Sequence, residues 1–364
     1  SPVWDAASKT LTSGDTVAQI VPGVRDSTST SVKVTITKPV PRTVSASFAS
    51  GNMNIVGTGY AELFITTAPG SGPQPCIVAL ASNGSISSNG NTTVNMPNCA
   101  LVSNNTVNIG GTGTVTTAGI YAKSTISIAS GVSTSARFPN APGITDPYAG
   151  YAPLQAAFAA AAAASTPTDV TCGNSGCSSP LPNGSSCNNA RTWSCTIKPG
   201  TYGSLSFTNG AKTVTFQPGL HIIKGNLSFS GTTTAAGNGA TLILTGAFSG
   251  ANTLVFNMSA PTEAQVAANG GVAGIVMASQ SSSTSSLQGS TTFQFTGAAY
   301  FPNATFDGSG ASGLGSSTNQ CMYLLAGSLV LAGNSYFNSA CWGVGTLSFT
   351  AVSPQTSYSA KLSK

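Results

Sequence analysis

Charge is what this 364-residue chain has least of: thirteen Lys and Arg with eight Asp and Glu make up 6% of it, where an ordinary soluble domain carries about 25%. Chemistry that needs several ionisable groups in one place is hard to assemble from so few. His221 is the single histidine, which excludes multi-histidine metal sites and leaves any Ser/His/Asp arrangement resting on one residue. No G-x-S-x-G elbow and no phosphate-binding P-loop occurs; Gly-rich tracts such as Gly308 to Gly315 lack the Lys and the strand-to-helix context, so they read as turns. No stretch of eighteen apolar residues exists, and the Ala159–Ala164 tract is too short, so no membrane-spanning helix is expected. The basic residues are spread singly from Lys9 to Lys364. Nucleic-acid binding needs clustered charge, so the net charge of +5 reflects the shortage of acids rather than a nucleic-acid partner.

In place of charge the chain has Gly, Ser, Thr and Asn set between short apolar packets. Forty-two glycines and twenty prolines suggest disorder, but 40% of residues are apolar and grouped at strand length, which disordered chains lack. The eight cysteines fall into local groups of two, four and two: Cys76 and Cys99; Cys172, Cys177, Cys187 and Cys195; Cys321 and Cys341. An even set of this kind predicts disulfides formed in an oxidising compartment. The middle spacing C-x4-C-x9-C-x7-C fits no usual zinc pattern. Separations of 23 and 20 residues suit Cys76–Cys99 and Cys321–Cys341 bridges between neighbouring coils, and three pairings of the middle four stay open. Export implies a leader or anchor ahead of Ser1.

Residues 1–70 read as a small strand-rich module. Val32, Val34 and Ile36 alternate with Lys33, Thr35 and Thr37, the pattern of a strand with one buried face. Lys38-Pro39-Val40-Pro41 interrupts it, because proline cannot donate to a central ladder. A Pro/Gly linker at 71–75 leads to a body over 76–352, followed by a tail over 353–364. Within the body, Gly203-Ser-Leu-Ser-Phe207, Gly225-Asn-Leu-Ser-Phe229, Gly327-Ser-Leu-Val-Leu331 and Gly345-Thr-Leu-Ser-Phe349 share the template Gly-x-Leu-x-apolar. A period near twenty, with strands too short to stand alone, predicts a mostly β protein built as a parallel β-helix of on the order of a dozen coils. One insertion, at about 146–198, breaks the pattern: a helix over Leu154–Ala164, rich in the best helix former and flanked by Pro153 and Pro167, then a disulfide-stapled loop.

Several stretches resemble the C-terminal extracellular region of TadG-like proteins, membrane-anchored components of bacterial tight-adherence (Tad) pilus systems. They are Val32-Lys-Val-Thr-Ile-Thr-Lys-Pro-Val-Pro41, Cys76-Ile-Val-Ala-Leu80, Asp146-Pro-Tyr-Ala149, Pro199-Gly-Thr-Tyr202, Val214 to Lys224, Ala260-Pro-Thr262 and Ala299 to Ala304, in the family's order. The resemblance implies a bacterial cell-surface protein with a β-helical outer part and no catalysis. The family's N-terminal membrane helix and a von Willebrand-type metal-binding module have no counterpart in this sequence.

Enzymes also use β-helices, and polysaccharide hydrolysis by the usual route needs two carboxylates about 5–9 Å apart. The body offers only Asp146, Asp169, Glu263 and Asp307, no two within twenty residues of each other. Trp193 and Trp342 each sit beside a cysteine and Trp4 stands apart, which suggests packing rather than a sugar-binding row. The sequence therefore predicts a non-enzymatic structural protein with no cofactor and no metal. Its expected partners are copies of itself or other pilus components, joined through strand edges, with Val32, Val34 and Ile36 as the donated strand. A carbohydrate- or surface-binding adhesin is the alternative, and a polysaccharide-degrading enzyme the third.

Overall fold

The computed structural model describes residues 3–5, 8, 10–23, 31–40, 53–67, 74–134, 136–173, 176–188, 193–208, 211–310, 313–315, 321–339 and 356–363. The chain divides into two compact units, one formed by 1–70 with 354–364 and the other by 71–353. The larger unit is the expected parallel β-helix.

Its coils have three faces, each a parallel ladder. One face is the Gly-x-Leu-x-apolar template itself: Leu205, Leu227 and Phe248 stand in register on successive coils, with Phe207 beside Phe229. These residues are buried. The residue between them points outward, so Ser206, Ser228, Ser249 and Ser286 form a file that continues through Asp307. The second face carries Val214, Ala235, Phe256 and Phe293 inward and Thr213, Thr234, Val255 and Thr292 outward. In the interior the rings meet coil to coil, Phe207 on Phe229 at 5.2 Å and Phe256 on Phe293 at 4.8 Å between centroids. Stacking of this kind adds to the burial of each ring.

The third face is apolar on both sides. Ile222, Ile243, Ala278, Tyr300, Leu325, Val78, Val102 and Tyr121 make one file, while Leu242, Met277, Leu324, Ile77 and Leu101 make the other. Parallel strands covered on both faces read as continuous hydrophobic runs for this reason. The cover is the segment 139–169 with helix α1 (Ala152–Ala163), which turns Leu154, Ala157, Phe158 and Ala161 inward. Pro153 lies in its first turn, and the helix starts two residues before the expected Leu154.

That cover resolves a departure from chain order. The strand Met322–Gly333 pairs with Pro75–Ala79 and Ser85–Gly90, and Tyr336–Asn338 pairs with Thr93–Ser103. The last coil thus stacks on the first, in the middle of the solenoid. From this seam the chain coils outward to Phe138, crosses back along the third face, and resumes at Val170 at the opposite end. The crossing is tied down coil by coil: Asn104 Nδ2 donates to the Ile144 carbonyl at 3.0 Å, Tyr300 donates to Asp146 at 2.6 Å, Tyr151 donates to the Ala273 carbonyl at 3.3 Å, and Lys224 Nζ donates to the Ala161 carbonyl at 2.7 Å.

The expected loop over 165–195 is instead two hairpins. Val170–Gly173 pairs antiparallel with Gly176–Cys177, and Trp193–Ile197 pairs antiparallel with Ser186–Asn188. At one corner glycines stack on one another: Gly310, Gly333, Gly90 and Gly111 all have φ between +74° and +93°. A Cβ on Gly90 would lie 2.6 Å from the Gly333 carbonyl oxygen, and one on Gly111 would lie 2.0 Å from that of Gly90.

The smaller unit is a six-stranded antiparallel sheet. Its strands β1 (Val3–Asp5), β2 (Thr10–Ser13), β3 (Thr16–Gly23), β4 (Ser31–Val40) and β5 (Met53–Thr67) follow chain order, and Thr356–Ser363 completes it beside β5. The expected C-terminal tail over 353–364 is therefore corrected: its last eight described residues are a strand. Tyr358, Ala360 and Leu362 alternate with Ser and Lys, and they match Ile65, Leu63 and Ala61 in register.

Gly90→Ala should lower stability by at least ~2 kcal/mol, since a left-handed φ costs Ala about 1–2 kcal/mol before the contact with Gly333 is counted. Gly150→Ala, which meets nothing within 4 Å, should be neutral or slightly stabilising. Denaturant melts of the two variants check the seam corner against an open glycine.

Candidate functional site

The four carboxylates of the body are each placed by a separate element. Asp146, at the start of the crossing, accepts from the Tyr148 backbone N–H at 2.9 Å and from the Tyr300 hydroxyl at 2.6 Å. Asp169, at its end, accepts from the Ser204 backbone N–H at 2.6 Å. Four coils separate the levels of Ser204 and Tyr300, which at about 4.8 Å each is roughly 19 Å. Asp307 stands in the outward serine file on a different face, in register with Ser286, and its Oδ1 is buried without a hydrogen-bond partner. Glu263 is exposed in the first turn of α2 (Glu263–Asn269), where Thr262 and Gln265 form a capping box. Asp146 and Asp169 thus hold backbone and phenol groups, which is what fixes the crossing to the coils.

Around Asp146 the phenols gather. Tyr148 meets Tyr300 edge-on at 5.2 Å and lies 6.2 Å from Tyr151. Burial pushes the Tyr148 and Tyr300 hydroxyls well above the usual phenol range; for Tyr300 the hydrogen bond to Asp146 and its charge push further the same way. Tyr151 is raised by burial and then by the charge of Glu263, and Tyr323 by burial alone. Phenols held neutral in this way are hydrogen-bond donors and packing surfaces, not bases. An open depression beside them is lined by Pro261, Glu263, Gly274 and Tyr323.

His221 lies inside the solenoid, 0% exposed, on the inward file with Leu242. Its Nε2 sits 2.8 Å from the Gln217 carbonyl oxygen and its ring meets Phe216 edge-on at 5.4 Å, while Nδ1 has no partner. Burial pushes its pKa down to about 4, against a smaller upward effect of the Gln217 carbonyl. It is a core residue, in keeping with its place in a strand. Trp193 is buried beside Cys195, Trp4 lies in β1, and Trp342 lies outside the described residues.

The cysteines bridge locally. Cys76–Cys99 joins adjacent coils with Cα atoms 5.7 Å apart. Of the three pairings open to the middle four, the structure takes Cys172–Cys177 and Cys187–Cys195, each a cross-strand pair within one hairpin. The two bridges nearly touch, Cys177 Sγ lying 3.5 Å from Cys187 Sγ. Cys321 is disulfide-bonded, and its expected partner Cys341 lies outside the described residues.

These hairpins make the two ends of the solenoid unequal. At the Val170 end Gly176–Cys177 pairs with Val170–Gly173 and Ser186–Asn188 with Trp193–Ile197, and on Gly200–Tyr202 the Thr201 carbonyl accepts from Asn183 Nδ2 at 3.0 Å. At the other end, Ile126–Ile128, Ser133–Thr134 and Arg137–Phe138 pair inward with the coil beneath, and among the described residues no strand pairs with their outer edges. Phe138 stacks on Tyr121 at 4.6 Å and is 42% exposed.

The strand expected to be donated to a neighbour is corrected here. β4, with Val32, Val34 and Ile36, pairs with β3 on one side and β5 on the other, so its backbone groups are already used and it has no free edge. Among the described residues the outermost strands of that sheet are β1 and Thr356–Ser363. Among the described residues no helix is long and apolar enough to cross a membrane. Comparison with protein-family models, with curated proteins and with solved structures finds no match for this chain.

Because a buried neutral imidazole binds its proton less readily than one in the unfolded chain, stability is fully present above about pH 6.5 and falls as pH drops towards 4. A shift of this size corresponds to ~3 kcal/mol. Chemical denaturation at pH 7.5, 5.5 and 4.5 should show this loss, and His221→Gln should remove most of the slope.

Proposed function

We propose that this chain is a non-enzymatic structural protein of the bacterial cell surface, exported through an oxidising compartment and associated with a Tad-type pilus. It joins its partner through unpaired strand edges. The observation that carries this reading is the inequality of the two solenoid ends: one is closed by two disulfide-stapled hairpin strands and a side-chain hydrogen bond, whereas at the other no described strand pairs with the outer edges of Ile126–Ile128, Ser133–Thr134 and Arg137–Phe138. Unpaired edges are templates for another strand, and soluble solenoids cap them. The local disulfides and the ordered series of TadG-like stretches support export and the pilus association.

Stacking solenoids head to tail into an endless polymer needs two free ends. With one sealed, joining through the open coil gives a closed pair or a cap on another structure. This favours a pilus-associated component over a filament built from solenoids alone.

The second reading, an adhesin, rests on the outward polar files of the two faces that the crossing does not cover, such as Ser206, Ser228, Ser249 and Ser286. Those hydroxyls repeat at the coil spacing and suit a regular polar surface.

Light scattering and negative-stain electron microscopy of protein isolated from its native source separate the two readings. The assembly reading predicts complexes that survive dilution and that Ser127→Lys with Thr134→Lys, which place charge on the open coil, reduce by ten-fold or more. Monomers that instead bind a polysaccharide or cell surface, unaffected by the two lysines, would overturn it in favour of the adhesin.

A further inference from the structure

The six-stranded sheet of the smaller unit has two unlike faces. Register places Leu11, Ala18, Ile36 and Gly57 across one level of one face, with Lys38 opposite Ile55 at the next level. Following the same alternation, Ile20, Val34, Val32, Ala61, Leu63, Ile65, Tyr358, Ala360 and Leu362 occupy positions of that face. Its only charged position is Lys38, near the end of β4. The opposite face carries the charged positions Lys33, Glu62 and Lys361 and most of the Thr and Ser positions, with Val3, Val17, Val21, Val56, Tyr60 and Phe64 among them. Apolar residues scattered among polar ones are ordinary at a surface; the contiguous run of apolar positions across β3, β4, β5 and Thr356–Ser363 on the first face is not.

On the apolar face Leu11 is 37% exposed, Ile36 47% and Ile55 53%. A sheet of this composition is half of a two-layer structure, because one apolar face has to be buried against another layer. Four strands of 8, 10, 15 and 8 residues, about 4.8 Å apart and rising about 3.3 Å per residue, give a face of roughly 650 Å². Two such faces bury about 1,300 Å², within the range of a specific, stable interface.

We propose that two copies of this chain pack these faces together as a β-sandwich. The face is its own complement: it is nearly uncharged, so a two-fold arrangement brings no like charges together in the centre, and Lys38 lies towards the strand ends where it can reach water. Aligned packing of twisted sheets about 10 Å apart then interdigitates Ile36, Ile55 and their neighbours from both copies. The proposal rests on the sheet residues alone, so it stands or falls separately from the pilus association.

Light scattering of the full chain across a hundred-fold dilution tests it. The expected result is twice the chain mass at micromolar concentration. Ile36→Lys with Ile55→Lys should weaken the dimer by roughly 100-fold or more, because a charge would be buried without a partner, and Thr35→Lys on the other face should leave it intact. In case the double variant fails to fold, an Ile55→Cys chain reports independently: its thiol should be protected from a maleimide at high concentration and labelled on dilution. Wild-type protein that stays at single-chain mass, or a dimer unmoved by the Ile36 and Ile55 lysines in a folded chain, would overturn the proposal.

Discussion

Every coil of a solenoid has to find another coil to complete its hydrogen bonds, and in this chain the decisive meeting is between the first coil and the last. Met322–Gly333 lies beside Pro75–Ala79 and Ser85–Gly90, so residues some 240 positions apart share one ladder. Without that seam the body would be two short stacks, each with an additional bare edge. The seam also explains the crossing. A chain that begins in the middle of the stack and ends in the middle must travel once along the outside. The third face is apolar on its outer side to receive it.

Scarcity of charge fits this construction. The crossing is anchored by Asp146 at one level and Asp169 at another, each accepting from groups of the coil it passes. Tyr300, Tyr148 and Phe158 fill the space between crossing and coils. Elsewhere the surface keeps its solubility with Ser and Thr files. The one imidazole is sealed in the core. Among the described residues, the outer strand edges of the open coil and of the sheet carry no paired strand.

Much of this was legible in the sequence, and the rest was not for identifiable reasons. The Gly-x-Leu-x-apolar template marked one face of the solenoid because each inward residue must match the one above it. The 23-residue separation of Cys76 and Cys99 gave their bridge, because it approximates one coil. Periodicity, however, says that coils stack and not which coil stacks on which, so the return of the last coil to the first left no local trace. The middle cysteines paired within hairpins whose turns lack a strong sequence signal. Val32, Val34 and Ile36 showed that a strand has one apolar side, but alternation is silent about its edges, and β4 proved to be paired along both. Tyr358, Ala360 and Leu362 carried the same alternation and would have revealed the final strand.

The order of coils is the central claim, and a cross-link across the seam tests it most directly. Ser87 and Val330 are in register on the outward serine file, a Cα separation of about 5 Å that suits a disulfide. In a chain carrying Ser87→Cys and Val330→Cys, peptide mapping without reduction should recover a bridge between the two, while Ser127→Cys with Thr171→Cys, which would be neighbours only if the coils stacked in chain order, should give none. A bridge from position 127 to position 171 and none from 87 to 330 would mean that the coils stack in chain order, and the account would be wrong.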